Sequence, residues 1–547
     1  MSLSNEELKS ILEHKIALLE NSHKEEKNIS LEAVNSIIKI LGLPNDFSPL
    51  AHRYFQLHTP PSLIWLHLSE CTGCSESLLR TSLPDFLDLI FDFISLEYHE
   101  TFMSASGHQA ESHLEEILEK KDFLLAVEGG VCAIDPFYLT IGAHGENGYE
   151  ILQKCAKNAK TIFAMGTCSS YGGIQAAHPN PTKSIGISKV LEEKVINIPG
   201  CPPSDVNIIA ALCFYILFEQ DMALDEQNRP LALYGKCLHD LCERKAKFEA
   251  GNFAQSFDDE NIKQGYCLFK VGCKGPYAYN NCPKVKFNSK TSWPVAAGHG
   301  CIACSEENFW DDFGFYEKPM SNEFAYNDFS IILDDKIVHN SSIDELNSDN
   351  ILLDLESNAS GIFYLNDIKI NFLDFSFEAN PKVFLNNFAK TKMAMTLVQN
   401  YQEQFKTYYD FIQENYDDES KISNNILDLF YFIYPFISGK KLNHLDEFLD
   451  LALAYKFKHP SKFDFKITIN EQAKLDVSKS MRMPLIYILG GLDKEAIAFG
   501  LIFSLKEHLK QALKACKKTH NKKQILICAK NEKLLKLLKL FWDLTSI

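Results

Sequence analysis

Ile64-Trp-Leu-His-Leu-Ser-Glu-Cys71-Thr-Gly-Cys74-Ser-Glu-Ser77 organises the first half of the chain. Its apolar start predicts a buried strand that ends just before two thiols. Gly73 lets the backbone turn tightly between them, and the amides that open the following helix favour a bound anion. An iron-sulfur cluster, a zinc ion or a redox-active dithiol would each fit this turn. The motif alone therefore leaves the ligand open.

The composition is that of a globular protein with several domains. The 547 residues exceed one ordinary core, and 46% of them are hydrophobic against 23% charged. The net charge of -17 argues against a nucleic-acid partner, because binding phosphates requires a basic surface. Met1-Ser-Leu-Ser-Asn-Glu6 lacks a basic leader, and no apolar run reaches the roughly 20 residues of a membrane span. These features predict a cytoplasmic protein that contacts the inner membrane only through partners.

Apolar strands alternate with helical patterns between residues 62 and 218. This alternation predicts a parallel sheet covered on both faces, with ligands bound beyond the carboxyl ends of its strands. The predicted strands are residues 64–68, 93–98, 123–127, 161–164 and 195–198. Thiols follow three of them: Cys71 and Cys74 come after the first strand, Cys168 after the fourth and Cys201 after the fifth.

These four thiols are expected to converge at one edge of the sheet. A 4Fe-4S cluster requires four converging thiolates, one for each iron. Structural zinc needs the same number, but it commonly takes its ligands from short paired knuckles. Because two of these thiols come singly from separate crossovers, the arrangement favours a cluster. We interpret Cys132, Cys155 and Cys213, which lie outside these turns, as small core residues.

The segment of residues 230–318 is rich in turns and in thiols. Seven of the sixteen cysteines of the chain lie between residues 237 and 304, which favours metal binding over a disulfide framework in a chain without a leader. A segment this short buries little core of its own, so bound metal would hold it together. The candidate ligands are His239, Cys242, Cys267, Cys273, Cys282, Cys301 and Cys304. His239 and Cys242 are three residues apart, hence on one face of a helical turn, and Cys237 is interpreted as spare.

Seven motifs in one order resemble a single family, the small, electron-transferring subunit of nickel-iron hydrogenases. They are Cys71-Thr-Gly-Cys74-Ser-Glu-Ser, Gly166-Thr-Cys168, Pro199-Gly-Cys201-Pro-Pro, His239-Asp-Leu-Cys242, Gly272-Cys-Lys-Gly-Pro276, Asn281-Cys282-Pro, and Ser292-Trp-Pro-Val-Ala-Ala-Gly-His-Gly-Cys301-Ile-Ala-Cys304-Ser-Glu. The resemblance covers residues 62–318. The cluster-bearing subunit of respiratory complex I is similar in its first fold, but it carries adjacent cysteines where Cys71 and Cys74 are separated, and it lacks the second thiol-rich region.

The resemblance implies an α/β architecture and three clusters. A flavodoxin-like parallel-sheet domain would span residues 61–225, and an irregular iron-sulfur cluster domain would span residues 226–327. A proximal 4Fe-4S cluster would be held by Cys71, Cys74, Cys168 and Cys201, a distal 4Fe-4S cluster by His239, Cys242, Cys267 and Cys273, and a medial 3Fe-4S cluster by Cys282, Cys301 and Cys304. Pro294 stands where the family's three-iron form has proline.

The resemblance also implies a function and partners. A separate large subunit would contain the nickel-iron centre that splits hydrogen, and this chain would relay the electrons to an acceptor protein or to a quinone-reactive membrane subunit. Oxygen-tolerant members carry extra cysteines at two positions that are Gly73 and Gly173 here, so the chain is similar to the oxygen-sensitive form. The alternative is an assembly or maturation protein derived from a small subunit. A zinc-stabilised interaction scaffold is a further rival.

Both ends depart from this family. Residues 1–60 predict a helical lead-in, because Ser4 and Glu7 have capping-box spacing and a second helix is expected over residues 31–41. Residues 328–547 predict an additional α+β domain of unknown role. Its expected elements are a hairpin at residues 362–370, helices over 383–411 and 426–436, and a final helix, strand and helix over 496–517, 524–528 and 532–542.

Overall fold

The computed structural model describes residues 3–22, 26–132, 138–313, 318–324, 331, 341–356 and 360–540. The chain divides into two compact units. The first unit consists of Met1–Glu243 and Ala278–Phe315, and the second of Arg244–Tyr277 and Tyr316–Ile547. The second unit thus takes one segment from the thiol-rich region and joins it to the C-terminal half.

The helices are numbered in chain order. They are α1 (Asn5–Glu20), α2 (Leu31–Ile40), α3 (Phe47–Leu57), α4 (Gly73–Leu79), α5 (Phe86–Asp88), α6 (His108–Lys120), α7 (Gly148–Ala156), α8 (Gly166–Tyr171), α9 (Asp205–Phe218), α10 (Leu231–Tyr234), α11 (Leu238–Leu241), α12 (Lys245–Glu249), α13 (Cys282–Val285), α14 (Phe309–Asp312), α15 (Pro381–Phe388), α16 (Lys392–Gln404), α17 (Lys406–Asn415), α18 (Asp428–Ser438), α19 (Leu445–Leu453), α20 (Met483–Leu489), α21 (Lys494–Thr519) and α22 (Glu532–Leu540).

The strands follow the same convention. They are β1 (Ser62–His67), β2 (Ser95–His99), β3 (Phe123–Glu128), β4 (Val131–Cys132), β5 (Thr140–Ile141), β6 (Glu146–Asn147), β7 (Ile162–Met165), β8 (Ser184–Ile185), β9 (Val195–Ile198), β10 (Asn350–Asp354), β11 (Gly361–Asn366), β12 (Ile368–Asn371), β13 (Leu373–Asp374), β14 (Phe377–Glu378), β15 (Ile422–Ser423), β16 (Lys466–Ile469), β17 (Ala473–Asp476) and β18 (Gln524–Cys528).

A five-stranded parallel sheet forms the centre of the first unit. Its strand order is β2-β1-β3-β7-β9, and every neighbouring pair is parallel. Successive side chains of β1 enter opposite cores: Trp65 belongs to one hydrophobic cluster, and Ile64 and Leu66 belong to the other. The predicted parallel sheet covered on both faces is therefore confirmed, and each predicted strand overlaps an observed one.

The N-terminal helices complete one face of this sheet. Leu12 of α1, Ile37 of α2 and Phe47 of α3 share a hydrophobic cluster with Trp65 and with Leu212 of α9. The Ser4 capping box at the start of α1 is confirmed, because the Ser4 hydroxyl accepts from the Glu7 amide and the Glu7 carboxylate accepts from the Ser4 amide. Helix α3 was not predicted. Residues 1–60 therefore pack as part of the first unit's core.

The second unit contains a mixed four-stranded sheet of order β12-β11-β10-β18. The antiparallel β11–β12 pair confirms the predicted hairpin, while β18 returns from the end of the chain to pair in parallel with β10. The predicted helix over 383–411 is divided into α15, α16 and α17, and the final helix, strand and helix correspond to α21, β18 and α22, with residues 541 and 542 outside the described residues. The predicted α+β character is confirmed.

The segment Arg244–Tyr277 is built into the core of this second unit. The ring of Tyr487 in α20 lies 6.1 Å from the ring of Phe248 and 6.3 Å from that of Phe269. The Asn400 side chain of α16 donates to the backbone carbonyls of Ala250 at 3.1 Å and Gly251 at 3.4 Å. Aromatic packing and hydrogen bonds therefore join the segment to helices that lie more than a hundred residues later in the chain.

Among the helices that the structure describes, none combines the length and the apolar character that crossing a bilayer requires.

Candidate iron-sulfur cluster site

Four thiols lie in turns at the carboxyl edge of the parallel sheet. Cys71 and Cys74 follow β1 and stand at the start of α4, Cys168 lies in α8 directly after β7, and Cys201 follows β9. Because β1 and β9 are separated only by β3 and β7, the sheet brings thiols from distant parts of the chain to one edge. This strand order accounts for the predicted convergence of the four thiols.

The electrostatics of these thiols indicate that they face one another. Burial raises the pKa of Cys168 to about 11, and the Cys201 thiol adds to this effect. Burial also raises the pKa of Cys201 to about 12, with contributions from Cys304 and Cys71. The pKa of Cys74 lies well above its ordinary range, because of burial first and of the Glu128 carboxylate second. Thiols in such surroundings become thiolates when metal cations offset the charge, so this donor set fits a metal cluster.

A buried carboxylate, Glu128 at the end of β3, holds the turn that carries the first two thiols. Its Oε1 accepts from the Cys74 amide at 2.8 Å, and its Oε2 accepts from the Ser75 amide at 3.1 Å. The Ser75 hydroxyl at 2.6 Å and the Trp65 indole at 3.1 Å donate to the same Oε2. The opening of α4 does bind an anion, as expected, but that anion is a side chain of this protein.

Backbone and amide contacts fix the same turn from its other side. Ser69 exchanges two hydrogen bonds of 3.0 Å with the backbone of Gly130. The Gln175 side chain donates to the Ser69 carbonyl at 2.7 Å, and its Oε1 lies 3.6 Å from Cys168 Sγ as acceptor. Gln175 therefore connects the first thiol-bearing turn to Cys168. Sequence reasoning assigned no role to Gln175 or to Glu128, although an acid at the end of the apolar strand β3 is a signal that could have suggested one.

Glycines leave the space that the thiols occupy. A Cβ atom on Gly166 would collide with Cys74 Sγ, and one on Gly173 would collide with Cys168 Sγ. Gly173 also has a φ of 74°, which favours glycine. Any side chain at position 173 would therefore displace Cys168 or strain the backbone, or both.

A second group of thiols lies directly beside the first. The backbone amide of Cys201 donates to the Cys304 thiol, and the Thr167 hydroxyl donates to the Cys304 carbonyl. Cys282 begins α13, where burial raises its pKa and the neighbouring Cys304 adds to the effect. Cys301 lies in the same turn as Cys304, and its Sγ accepts from the Ala303 amide at 3.3 Å. The predicted proximal and medial ligands thus meet at Cys201 and Cys304.

A buried ion-pair network anchors this second thiol turn. The Arg229 guanidinium, 6% exposed, lies 2.8 Å from Asp225 and 3.1 Å from Glu306. The Glu306 carboxylate also accepts from the Tyr279 amide at 2.7 Å. Because Glu306 follows Cys304 by two residues, these contacts position the turn. Sequence reasoning assigned no role to Arg229.

The four residues predicted to hold the distal cluster are divided between the two units. In the first unit, His239 lies within α11 and Cys242 caps that helix, as the spacing predicted. In the second unit, Cys267 and Cys273 are buried on either side of a 3-10 turn, Phe269–Val271. That the two pairs bind one cluster stays a prediction.

A pair of buried imidazoles lies beneath the first turn. The Nε2 atoms of His67 and His99 are 3.4 Å apart, and the Ser75 hydroxyl is 3.1 Å from His99 Nε2. Burial, together with His67, lowers the pKa of His99 to about 3. His99 is therefore neutral at physiological pH. Burial raises the pKa of the neighbouring Glu100 to about 7.

Three further thiols of the first unit, those of Cys132, Cys155 and Cys213, lie in its interior. Cys155 and Cys213 are fully buried, and Cys132 is 6% exposed. Burial raises the pKa of both Cys155 and Cys213 to about 12. Their interpretation as small core residues is confirmed.

Comparison with known proteins identifies the family. A profile described as the 20 Kd subunit of NADH ubiquinone oxidoreductase matches residues 71–215, and one described as the C-terminal part of the NiFe/NiFeSe hydrogenase small subunit matches residues 234–317. The chain is similar to the quinone-reactive Ni/Fe-hydrogenase small chain of Wolinella succinogenes, with 52% identity over 54% of this chain and 86% of that protein. The chain belongs to the nickel-iron hydrogenase small-subunit family.

A second curated relative supports this membership. The periplasmic [NiFe] hydrogenase small subunit of Solidesulfovibrio fructosivorans is 46% identical over 52% of this chain and 90% of that protein. A solved structure of the reduced, active Ni-Fe-Se hydrogenase from Desulfomicrobium baculatum aligns with 33% identity and a TM-score of 0.45, covering 48% of this chain and 100% of that one. The identity to these two curated relatives makes the chain a subunit of a hydrogenase, an oxidoreductase that acts on hydrogen. Its iron-sulfur character follows from the same membership, and neither profile extends beyond residue 317.

Glu128→Gln is expected to loosen the first thiol turn. The substituted amide keeps one acceptor oxygen but places an NH2 group against donors, which costs about 1–3 kcal/mol. We expect a lower urea midpoint for the loss of visible cluster absorbance from anaerobically purified protein. Glu116→Gln, on the exposed face of α6, is the matched control and should keep the parental midpoint. Equal midpoints for all three proteins would contradict the role of Glu128.

Gly173→Ala is expected to remove bound iron from the first site. Gly42, with a φ of 68° and open space around it, is the matched position: Gly42→Ala introduces similar backbone strain without the collision. Iron analysis should show a loss of about four iron atoms per chain for Gly173→Ala and none for Gly42→Ala. If both variants keep their iron, the close approach of Gly173 to Cys168 does not limit the site.

Proposed function

We propose that this chain is the electron-transferring small subunit of a nickel-iron hydrogenase with three clusters. The observation that carries the proposal is the adjacency of two thiol sets, joined where the Cys201 amide donates to Cys304. An electron relay needs carriers close to one another, and this chain brings the two sets within hydrogen-bonding contact.

The proposed ligand sets are those implied by the family resemblance. The proximal 4Fe-4S cluster is assigned to Cys71, Cys74, Cys168 and Cys201, the medial 3Fe-4S cluster to Cys282, Cys301 and Cys304, and the distal 4Fe-4S cluster to His239, Cys242, Cys267 and Cys273. Bound clusters would supply one-electron carriers. The chain's own residues position the thiols: Glu128 holds α4, Gln175 holds Cys168, and Arg229 holds the turn of Cys304 through Glu306.

The proposed partner is a large subunit with the nickel-iron centre. The acceptor is proposed to be a soluble carrier or a quinone-reactive membrane subunit, and the relative from Wolinella succinogenes, which is named as quinone-reactive, supports the second choice. Gly73 and Gly173 support an ordinary proximal cluster and hence an oxygen-sensitive enzyme, because the collision of any side chain at position 173 with Cys168 leaves no room for an added thiol.

Anaerobic co-purification with the large subunit tests the relay. We expect about eleven iron atoms per small subunit, electron paramagnetic resonance signals of both cluster types, and hydrogen-dependent reduction of an artificial acceptor. Cys168→Ser should reduce that turnover, while Cys213→Ser, at a buried position outside the site, should not. Stable iron without turnover by the pair would instead favour the maturation role, and one zinc without iron would favour the scaffold.

We further propose that residues 341–540 serve as a scaffold for the segment that supplies Cys267 and Cys273. Arg482 pairs with Glu249 at 3.3 Å, and the Tyr277 and Ser461 hydroxyls are 3.0 Å apart. Lys274, 1% exposed, donates to the Gly272 carbonyl at 2.6 Å, beside Cys273. With the contacts of Asn400 and Tyr487, these interactions support a segment whose fold depends on the C-terminal half.

Asn400→Ala tests this scaffold. Removing its amide leaves the Ala250 and Gly251 carbonyls without that donor, which costs about 1–3 kcal/mol. We expect faster loss of the distal cluster, measured as about four iron atoms per chain, while the other clusters persist. Asn415→Ala is the control, because the Asn415 side-chain amide donates to the Phe411 carbonyl of its own helix and to no other group in the part of the chain that the structure describes. If both variants keep as much iron as the parent protein, the scaffold proposal is refuted. If the parent protein itself has no distal cluster, the three-cluster assignment is refuted instead.

A further inference from the structure

Two histidines and a glutamate, none of them among the predicted cluster ligands, converge on the surface of the first unit. Glu111 Oε2 lies 3.7 Å from His108 Nδ1 and 3.6 Å from His144 Nε2. The three possible ligand atoms all lie within 4.8 Å of one another. His108 and Glu111 belong to the first turn of α6, and His144 belongs to the loop between β5 and β6.

The loop is held against the helix by its backbone. The His144 amide donates to Glu111 Oε1 at 3.2 Å. Gly142, with a φ of 78°, permits this approach, because a Cβ atom there would collide with the Glu111 carboxylate. One carboxylate oxygen is therefore occupied by the loop. The other, Oε2, is covered from solvent and accepts no hydrogen bond from the described residues, although both imidazoles face it.

We propose that His108, Glu111 and His144 bind a divalent first-row transition cation, with Zn²⁺ as the best fit. Two imidazole nitrogens and one carboxylate oxygen are ligands that zinc prefers, at about 2.0–2.2 Å each. Around a tetrahedral ion such ligand atoms are separated by about 3.3 Å. The observed separations of 3.6 and 3.7 Å from Oε2 are close to this value, so small side-chain rotations complete the site. The cation would supply the partner that Glu111 Oε2 lacks.

The surroundings favour a cation. A cavity of about 530 Å³ opens beside the three residues, and its lining includes Glu115, Glu146 and Lys154. Lys154 pairs with Glu146, so Glu115 and Glu111 leave this pocket with excess negative charge. The positive end of the α6 dipole opposes a cation at this terminus, but the carboxylate of Glu111 offsets that effect. The two histidine side chains are 75% and 73% exposed, so little desolvation accompanies binding.

Binding would have two consequences for the protein. It would tie the β5–β6 loop to α6 through a metal bridge in addition to the single backbone hydrogen bond. Three protein ligands also leave one tetrahedral position open, which water or a side chain of a partner protein can occupy.

Equilibrium dialysis of the anaerobically purified, cluster-loaded full chain against Zn²⁺ tests the proposal. We expect one zinc ion per chain at this site, and His108→Ala and His144→Ala should each weaken its binding by about tenfold or more. Glu111→Gln should also weaken binding. His113→Ala is the matched control, because His113 lies on the same helix but faces Glu97 and Glu116. Its affinity for zinc should equal that of the parent.

A second measurement locates the ion independently of affinity. Hydrogen exchange of the loop amides at residues 139–147 should slow on addition of Zn²⁺ in the parent and in His113→Ala, but not in His108→Ala. Equal zinc binding by the parent and the His108→Ala, His144→Ala double variant would overturn the proposal, because the zinc would then lie elsewhere. Absence of any bound zinc in the parent would overturn it as well.

Discussion

The Glu128 carboxylate is the contact on which the thiol site depends. It lies at the end of a central strand and is 1% exposed, yet it accepts hydrogen bonds from two amides, a hydroxyl and an indole. A buried carboxylate is stable only when its oxygens accept hydrogen bonds, so the fold must keep each of these donors in place. Two of those donors are the amides of Cys74 and Ser75. Strand β3 of the parallel sheet therefore positions, through Glu128, the turn that carries the first thiol pair.

The rest of the site extends this principle from one turn to the next. Ser69 and Gln175 connect the first turn to Cys168, Cys201 connects to Cys304, and Arg229 with Glu306 fixes the turn beyond it. Because adjacent turns share hydrogen-bonding partners, the contacts among them preorganise the thiols.

The C-terminal half has a clear structural relation to the segment Arg244–Tyr277, with which it forms one unit. Family profiles match residues 71–215 and 234–317, and therefore cross that segment without reaching the helices that pack on it. Phe248 and Phe269 are buried against Tyr487, an arrangement in which neither part exposes its aromatic surface. The C-terminal extension therefore packs on a segment that lies within the region similar to hydrogenase small subunits.

The parallel sheet, the family and the four thiols at the sheet edge were predictable from the sequence, because apolar periodicity and ligand spacing are local properties of the chain. The sequence also predicted the hairpin of β11 and β12 and the helices α18, α21 and α22, but it joined α15, α16 and α17 into one helix and did not predict α19 or α20. It could not reveal Glu128 as the acceptor for α4, Arg229 as the anchor of the second turn, or the packing of Tyr487 on Phe269. Each of these depends on a contact between residues that are far apart in the chain. Buried polar atoms need hydrogen-bonding partners and apolar surfaces must be covered, and the tertiary structure selects which distant groups meet these needs.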